Sequence, residues 1–202
     1  MRRPITNKIV IHHSASDDWG QEETIKKFTQ WHKSRGLAHD GNPAYHVLIG
    51  KDWQALVRPY DTVGYHSGNW AVNLSSLAIC LVGNFDDETL TKYQEKKLSD
   101  QIFNWENDYS IKKILFHRDV KPTSCPGKNI THEYIDELLG GNLLNRVNLA
   151  FRQVFKRQPD KHESHYYQKR VTTKNPFRKI KTYYKLLDVM NYWKSEGKTQ
   201  GK

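Results

Sequence analysis

Three side chains able to hold a soft metal ion stand where strands are expected to end. His12 follows Ile9-Val10-Ile11, His117 follows Ile114-Leu115-Phe116, and Cys125 lies 8 positions beyond His117. Zinc favours imidazole and thiolate donors, and three protein ligands leave a fourth tetrahedral position for water, as in a catalytic rather than a structural site. Water bound in that way ionises at a pH of about 7 and can attack an amide carbonyl. Taken alone the triad is a weak signal, because the chain has 10 histidines. The second thiol, Cys80, sits within the apolar run Leu77 to Val82 and reads as a small buried core residue. Two cysteines are too few for a disulfide framework.

The elements that must position these residues follow from periodicity. Lys8 to His12 reads as a buried strand, and Gln21 to Arg35 as a helix with Ile25, Phe28, Trp31 and His32 on one stripe and Gly36 as its stop. Ala44 to Ile49 and Trp53 to Val57, joined by Gly50-Lys51-Asp52, suggest a hairpin, and Leu77 to Val82 a central strand. Thr91 with Gln94 forms a capping-box pattern ahead of a helix marked by Tyr93, Leu98, Ile102 and Trp105, which ends before Tyr109-Ser110. Lys113 to Phe116 is the next strand. Thr131 opens a short helix through Tyr134, Ile135, Leu138 and Leu139, closed by Gly140-Gly141. The expected fold is α/β, a mixed central β-sheet flanked by helices over residues 1–140, followed by a basic helical extension over 141–202.

Five separated motifs occur in one order: Ile9-Val10-Ile11-His12-His13-Ser14-Ala15, Tyr45-His46-Val47-Leu48-Ile49, Gly64-Tyr65-His66-Ser67-Gly68, Ile79 to Phe85, and His117-Arg118-Asp119 through Ser124-Cys125-Pro126-Gly127. Over residues 7–139 this order resembles the N-acetylmuramoyl-L-alanine amidases of the peptidoglycan-recognition-protein fold, phage endolysins among them. The resemblance implies zinc (Zn2+) held by His12, His117 and Cys125, and hydrolysis of the amide bond between N-acetylmuramic acid and L-alanine in bacterial peptidoglycan. It places Tyr45 as a catalytic group that orients the water or stabilises the oxyanion. Thr123 stands two positions before the cysteine, where phage members often carry lysine. The resemblance makes Thr123 the second catalytic candidate: a threonine can donate one hydrogen bond to the oxyanion but brings no charge, and the nearby Lys121 and Lys128 do not match the motif. His66 matches a histidine of the family's substrate groove, with Trp70 and Asn73 flanking it, whereas His13 and His46 should face away from the site by strand alternation. A binding-only recognition module is the alternative, as is an amidase with a second, regulatory partner. Retention of Cys125 favours hydrolysis.

The chain is 37% hydrophobic and 12% aromatic, as a globular protein is, and has no run of about 18 apolar residues that would span a membrane. Met1 to Ile9 pass directly into the first strand without the apolar core of a secretory signal. The expectation is therefore a protein held in the cytoplasm of the producing cell that acts on the wall after release. Charge is unevenly placed: residues 141–202 carry 15 Lys and Arg against 4 Asp and Glu, while residues 1–140 carry 17 against 18. Leu144, Val147, Phe151, Val154 and Phe155 mark one basic amphipathic helix in that tail, and Phe177, Ile180, Tyr184 and Leu187 a second. Such a surface attracts a polyanion in a salt-dependent way. An anionic wall polymer is the economical partner, and tyrosines interleaved with the charge leave nucleic acid open as a less specific one.

Overall fold

Strands buried on both faces need apolar sequence, and the two longest strands carry it in Ile9-Val10-Ile11 and in Leu77 to Leu81. β1, Lys8–His13, is buried from Ile9 onward, and β4, Ser76–Leu81, is buried throughout. The computed structural model describes residues 1–38 and 40–140 together with Phe151, Lys194 and Ser195. Five strands form one sheet in the order β3-β2-β4-β1-β5, where β2 is Val47–Ile49, β3 Gln54–Leu56 and β5 Lys113–Phe116. β1 runs parallel to both β4 and β5, β2 runs parallel to β4, and only β3 is antiparallel to its neighbour. The sheet is mixed, as expected, and the hairpin forms around Gly50, although its strands are shorter than the apolar runs that announce them. Ala44, Tyr45 and His46 precede β2 as buried non-strand residues.

α1, Gln21–Ser34, buries Thr24, Phe28 and His32, one position per turn. Phe28 joins Tyr45, Leu48, Ala78 and Cys80 in a single apolar cluster, with Ile25 packed against it, so α1 covers the sheet face that also carries His12. Full burial of a side chain such as Leu48 contributes about 1.5–3 kcal/mol. Trp31, expected on the buried stripe, is 46% exposed, because the buried row follows the i, i+4 line through Thr24, Phe28 and His32 and leaves Trp31 at its edge. Gly36 adopts a φ of +68° just beyond the helix, as its place in the sequence suggests.

A short helix that the apolar pattern does not announce, α2, Trp70–Asn73, starts at Asn69, whose side chain accepts from the Val72 N–H. α3, Lys92–Asp108, opens with the expected capping box: the Gln94 N–H donates to Thr91 Oγ1 and the Thr91 N–H to Gln94 Oε1. A 3-10 turn, His117–Asp119, follows β5 directly. α4, His132–Gly140, buries Ile135 and Leu139, four residues apart.

The chain divides into two compact units, residues 1–102 with 109–131 and residues 103–108 with 132–202. The sheet, α1 and α2 belong to the first unit, α4 to the second. The basic extension from 141 and its two expected helices lie outside the described residues, apart from Phe151, Lys194 and Ser195. No helix among the described residues is long and apolar enough to cross a membrane.

Candidate metal centre and cleft

Parallel register sets the first two residues of the site side by side. Ile11 pairs with Phe116, so the next residues, His12 near the carboxyl end of β1 and His117 just after β5, come side by side. Open α/β sheets place their ligands at this edge. The two imidazole centroids are 4.6 Å apart. Cys125 arrives from the loop beyond the 3-10 turn, and its Sγ lies 3.8 Å from His12 Nδ1 and accepts from the His13 N–H at 3.3 Å. One donor atom from each of His12, His117 and Cys125 falls within 4.8 Å of the others.

The loop is held by backbone bonds and by Arg118. The Arg118 N–H donates to the Cys125 carbonyl at 3.0 Å, and the Lys121 N–H to the His117 carbonyl at 3.0 Å. The Arg118 guanidinium donates to the carbonyls of Gly127 and Ile130. Gly127 has a φ of +99°, and a Cβ there would sit 2.5 Å from the Phe85 carbonyl carbon, so only glycine lets the segment after Cys125 lie this close.

The donor set fits a zinc ion chemically. His12 is wholly buried, and its pKa lies well below 6.5, chiefly through desolvation, with His66 and His117 adding to it. His117 is lowered too, first by desolvation. Both imidazoles are therefore neutral, the form that binds a metal. Burial pushes the Cys125 thiol up to about 11, against the pull of the His13 N–H and Arg118. A thiolate here needs a cation beside it, which a divalent metal provides. His117 Nε2 lies 3.2 Å from the Ser67 carbonyl, which can only accept, so that nitrogen carries the hydrogen and Nδ1 keeps the free lone pair.

Tyr45 stands 5.1 Å from His12, ring centroid to centroid, and is buried. Desolvation raises its phenol well above 10, with Cys80 and Cys125 adding to the effect, so the hydroxyl is a neutral donor. Tyr45 and Trp31 border two clefts. The first, about 360 Å³, is lined by Ser14, Trp19 and Phe28 among others. The second, about 460 Å³, contains His66, Trp70, Asn73, His117, Arg35 and Lys121. Trp70 is 45% exposed and stacks on Tyr65, whereas Asn73 is buried and its Oδ1 accepts from both the N–H and the hydroxyl of Ser67.

The residue two before the cysteine occupies a different setting. Thr123 is exposed, and its Oγ1 accepts from the Cys125 N–H at 3.3 Å. It is Lys121 that lines the second cleft, where its side chain packs over Gly68; a Cβ at Gly68 would lie 3.2 Å from Lys121 Cδ. Motif matching passes over Lys121 and Arg35 because neither stands at a signature position, yet both bring positive charge to the cleft. His13 and His46 serve the fold: His13 Nδ1 accepts from the Phe85 N–H, and His46 Nδ1 from the Ala78 N–H.

Fold and site together define an α/β domain with a candidate His-His-Cys metal centre at the carboxyl edge of its sheet. A family model described as N-acetylmuramoyl-L-alanine amidase matches residues 1–128, and the chain belongs to that family. The endolysin of Enterobacteria phage K11 is 29% identical over 131 residues, covering 62% of this chain and 83% of its own. Peptidoglycan-recognition protein SC2 of Drosophila simulans is 34% identical over 135 residues, covering 61% and 70%. Among solved structures, the N-acetylmuramoyl-L-alanine amidase LysC from Clostridium intestinale URNW superposes with a TM-score of 0.59 at 32% identity, over 66% of this chain and 85% of that one.

Proposed function

We propose that the protein is a zinc-dependent N-acetylmuramoyl-L-alanine amidase of the endolysin type, with His12, His117 and Cys125 as its metal ligands. The observation that carries this reading is the convergence of those three donors, from β1, β5 and the following loop, within 4.8 Å. Zinc held there would polarise the scissile carbonyl and activate the attacking water. The chain's own residues supply the rest. Tyr45, kept protonated by burial, donates a hydrogen bond toward the oxygen on which negative charge develops. Thr123 acts through its bond to the Cys125 N–H, steadying the loop that presents the thiol.

The second cleft suits a peptide that bears free carboxylates: Arg35 and Lys121 line it, and among the described residues no Asp or Glu does. His66, Trp70 and Asn73 also line it, and the exposed Trp70 ring offers an apolar surface to the substrate. In this reading peptidoglycan lies across the metal centre with its stem peptide in that cleft.

Mass spectrometry of peptidoglycan digested by the zinc-loaded protein tests the proposal. The expected products carry new N-terminal L-alanine and no new reducing sugar ends. Release of reducing ends instead would assign a glycosidase, and intact peptidoglycan with retained binding would assign a recognition module. In the same assay Tyr45→Phe should turn over more slowly by about 10²-fold or more if the hydroxyl serves as an oxyanion donor.

A further inference from the structure

His66 Nδ1 lies 2.9 Å from His12 Nε2, and His66 Nε2 lies 3.1 Å from Ser76 Oγ. Ser76 Oγ in turn is 2.7 Å from the Val72 carbonyl oxygen. The direction of this chain is fixed from its far end. A carbonyl only accepts, so the serine hydroxyl spends its single hydrogen on Val72 and can only accept from His66. His66 therefore carries its hydrogen on Nε2 and leaves Nδ1 bare. A bare Nδ1 at 2.9 Å requires the hydrogen on His12 Nε2, which leaves His12 Nδ1 as the ring's one free lone pair. That atom is the one facing Cys125 Sγ.

We infer that His66 is a positioning residue, which locks His12 in the tautomer and ring orientation that offer Nδ1 to the metal. The inference rests on the metal reading proposed above. Metal-bound histidines characteristically donate their second nitrogen to a fixed acceptor, which sets the ring and strengthens the ligand. Here a neutral imidazole fills the role usually taken by a carboxylate or carbonyl. Every link is inside the protein: His12 and Ser76 are fully buried, and His66 is 6% exposed. The neighbouring residue does the same for the second ligand, since the Ser67 carbonyl accepts from His117 Nε2 while Asn73 Oδ1 holds Ser67. The His66-Ser67 dipeptide, fastened to α2 and to the start of β4, thus orients both metal histidines from behind. A substrate contact at His66 would leave its nitrogens turned to the cleft, whereas both are engaged within the protein.

Zinc affinity of the full chain, measured by chelator competition, tests the role, with the visible spectrum of the cobalt-substituted protein as a second readout. Wild type should bind zinc; if it binds none, the metal reading fails before this inference is reached. Given binding by wild type, His66→Ala should weaken zinc affinity by about 10–100-fold and shift the cobalt spectrum. His66→Asn, whose amide oxygen falls near the lost Nδ1, should recover most of the affinity. Ser76→Ala leaves both rings in place and removes the hydroxyl that accepts from His66 Nε2, so it decides the matter if His66→Ala does not fold. It should move affinity in the same direction. Unchanged zinc affinity and an unchanged cobalt spectrum in the folded variants, with only KM altered, would overturn the inference and make His66 a substrate contact.

Discussion

Several imidazoles of the domain are buried, His32 and His46 among them, and their burial has a consequence for acid stability. His46 is fully buried, and desolvation, with Arg3 next, lowers its pKa to about 3, while His32 falls to about 4 through desolvation and the nearby Arg35. Both rings accept a backbone N–H, His32 from Ala44 and His46 from Ala78, and a protonated ring cannot accept there. The unfolded chain, with histidines near 6.5, binds more protons than the folded one between that value and the folded pKa values. Their contribution is thus fully present above about pH 6.5 and is lost as the pH falls toward about 3. Urea unfolding of the chelator-treated protein should show a clearly lower midpoint at about pH 5 than at about pH 7. Equal midpoints would contradict it. At this scale the grouping of His12, His117 and Cys125 was legible through the ordered motifs that resemble the amidase family, and the structure brings one donor atom of each within 4.8 Å of the others; the hydrophobic runs before the two histidines were a weak signal by themselves. The serine carbonyl that orients His117 was not, since any residue type has a carbonyl. Lys121 was equally hidden, because only the fold of the loop after His117 carries it into the cleft.

Among the elements, legibility tracked length and continuity of pattern. β1, β4, β5 and α3 were readable to within a residue or so at most ends, because their burial imposes an unbroken apolar run or a regular stripe. The capping box at Thr91 marks the start of α3 with a local chemical signal that needs no tertiary context. Ala44 to His46 misled the pattern: they are buried and apolar-rich but pair with the site and the core instead of extending β2. α2 was missed because a helix of 4 residues carries no periodicity, although Asn69 was there as its cap. Its position matters, since Val72 terminates the chain behind His12 and Asn73 holds Ser67. The parallel pairing of β1 with β5 could not be derived from the strands themselves. It depends on residues about a hundred positions apart, and it is this pairing that brings His12 beside His117.

For the molecule as a whole, charge is divided as sharply as chemistry. Residues 141–202 carry 15 Lys and Arg against 4 Asp and Glu, and we propose that this segment holds the enzyme on an anionic wall polymer. Binding of the full chain to purified walls should then weaken steeply with salt. Replacing Arg178, Lys179, Lys181 and Lys185 by Gln should weaken it at low salt while sparing turnover of soluble muropeptides. Wall binding unchanged by salt and by those substitutions would remove the targeting role. The proposed reaction depends on the metal centre, and metal analysis of the purified protein and its Cys125→Ala variant probes that centre itself. Wild type should hold about one zinc per chain, and Cys125→Ala should keep its fold but lose the metal and the hydrolysis of peptidoglycan. A Cys125→Ala protein that retains zinc at one per chain, or full activity without it, would rule out a metal centre built on Cys125.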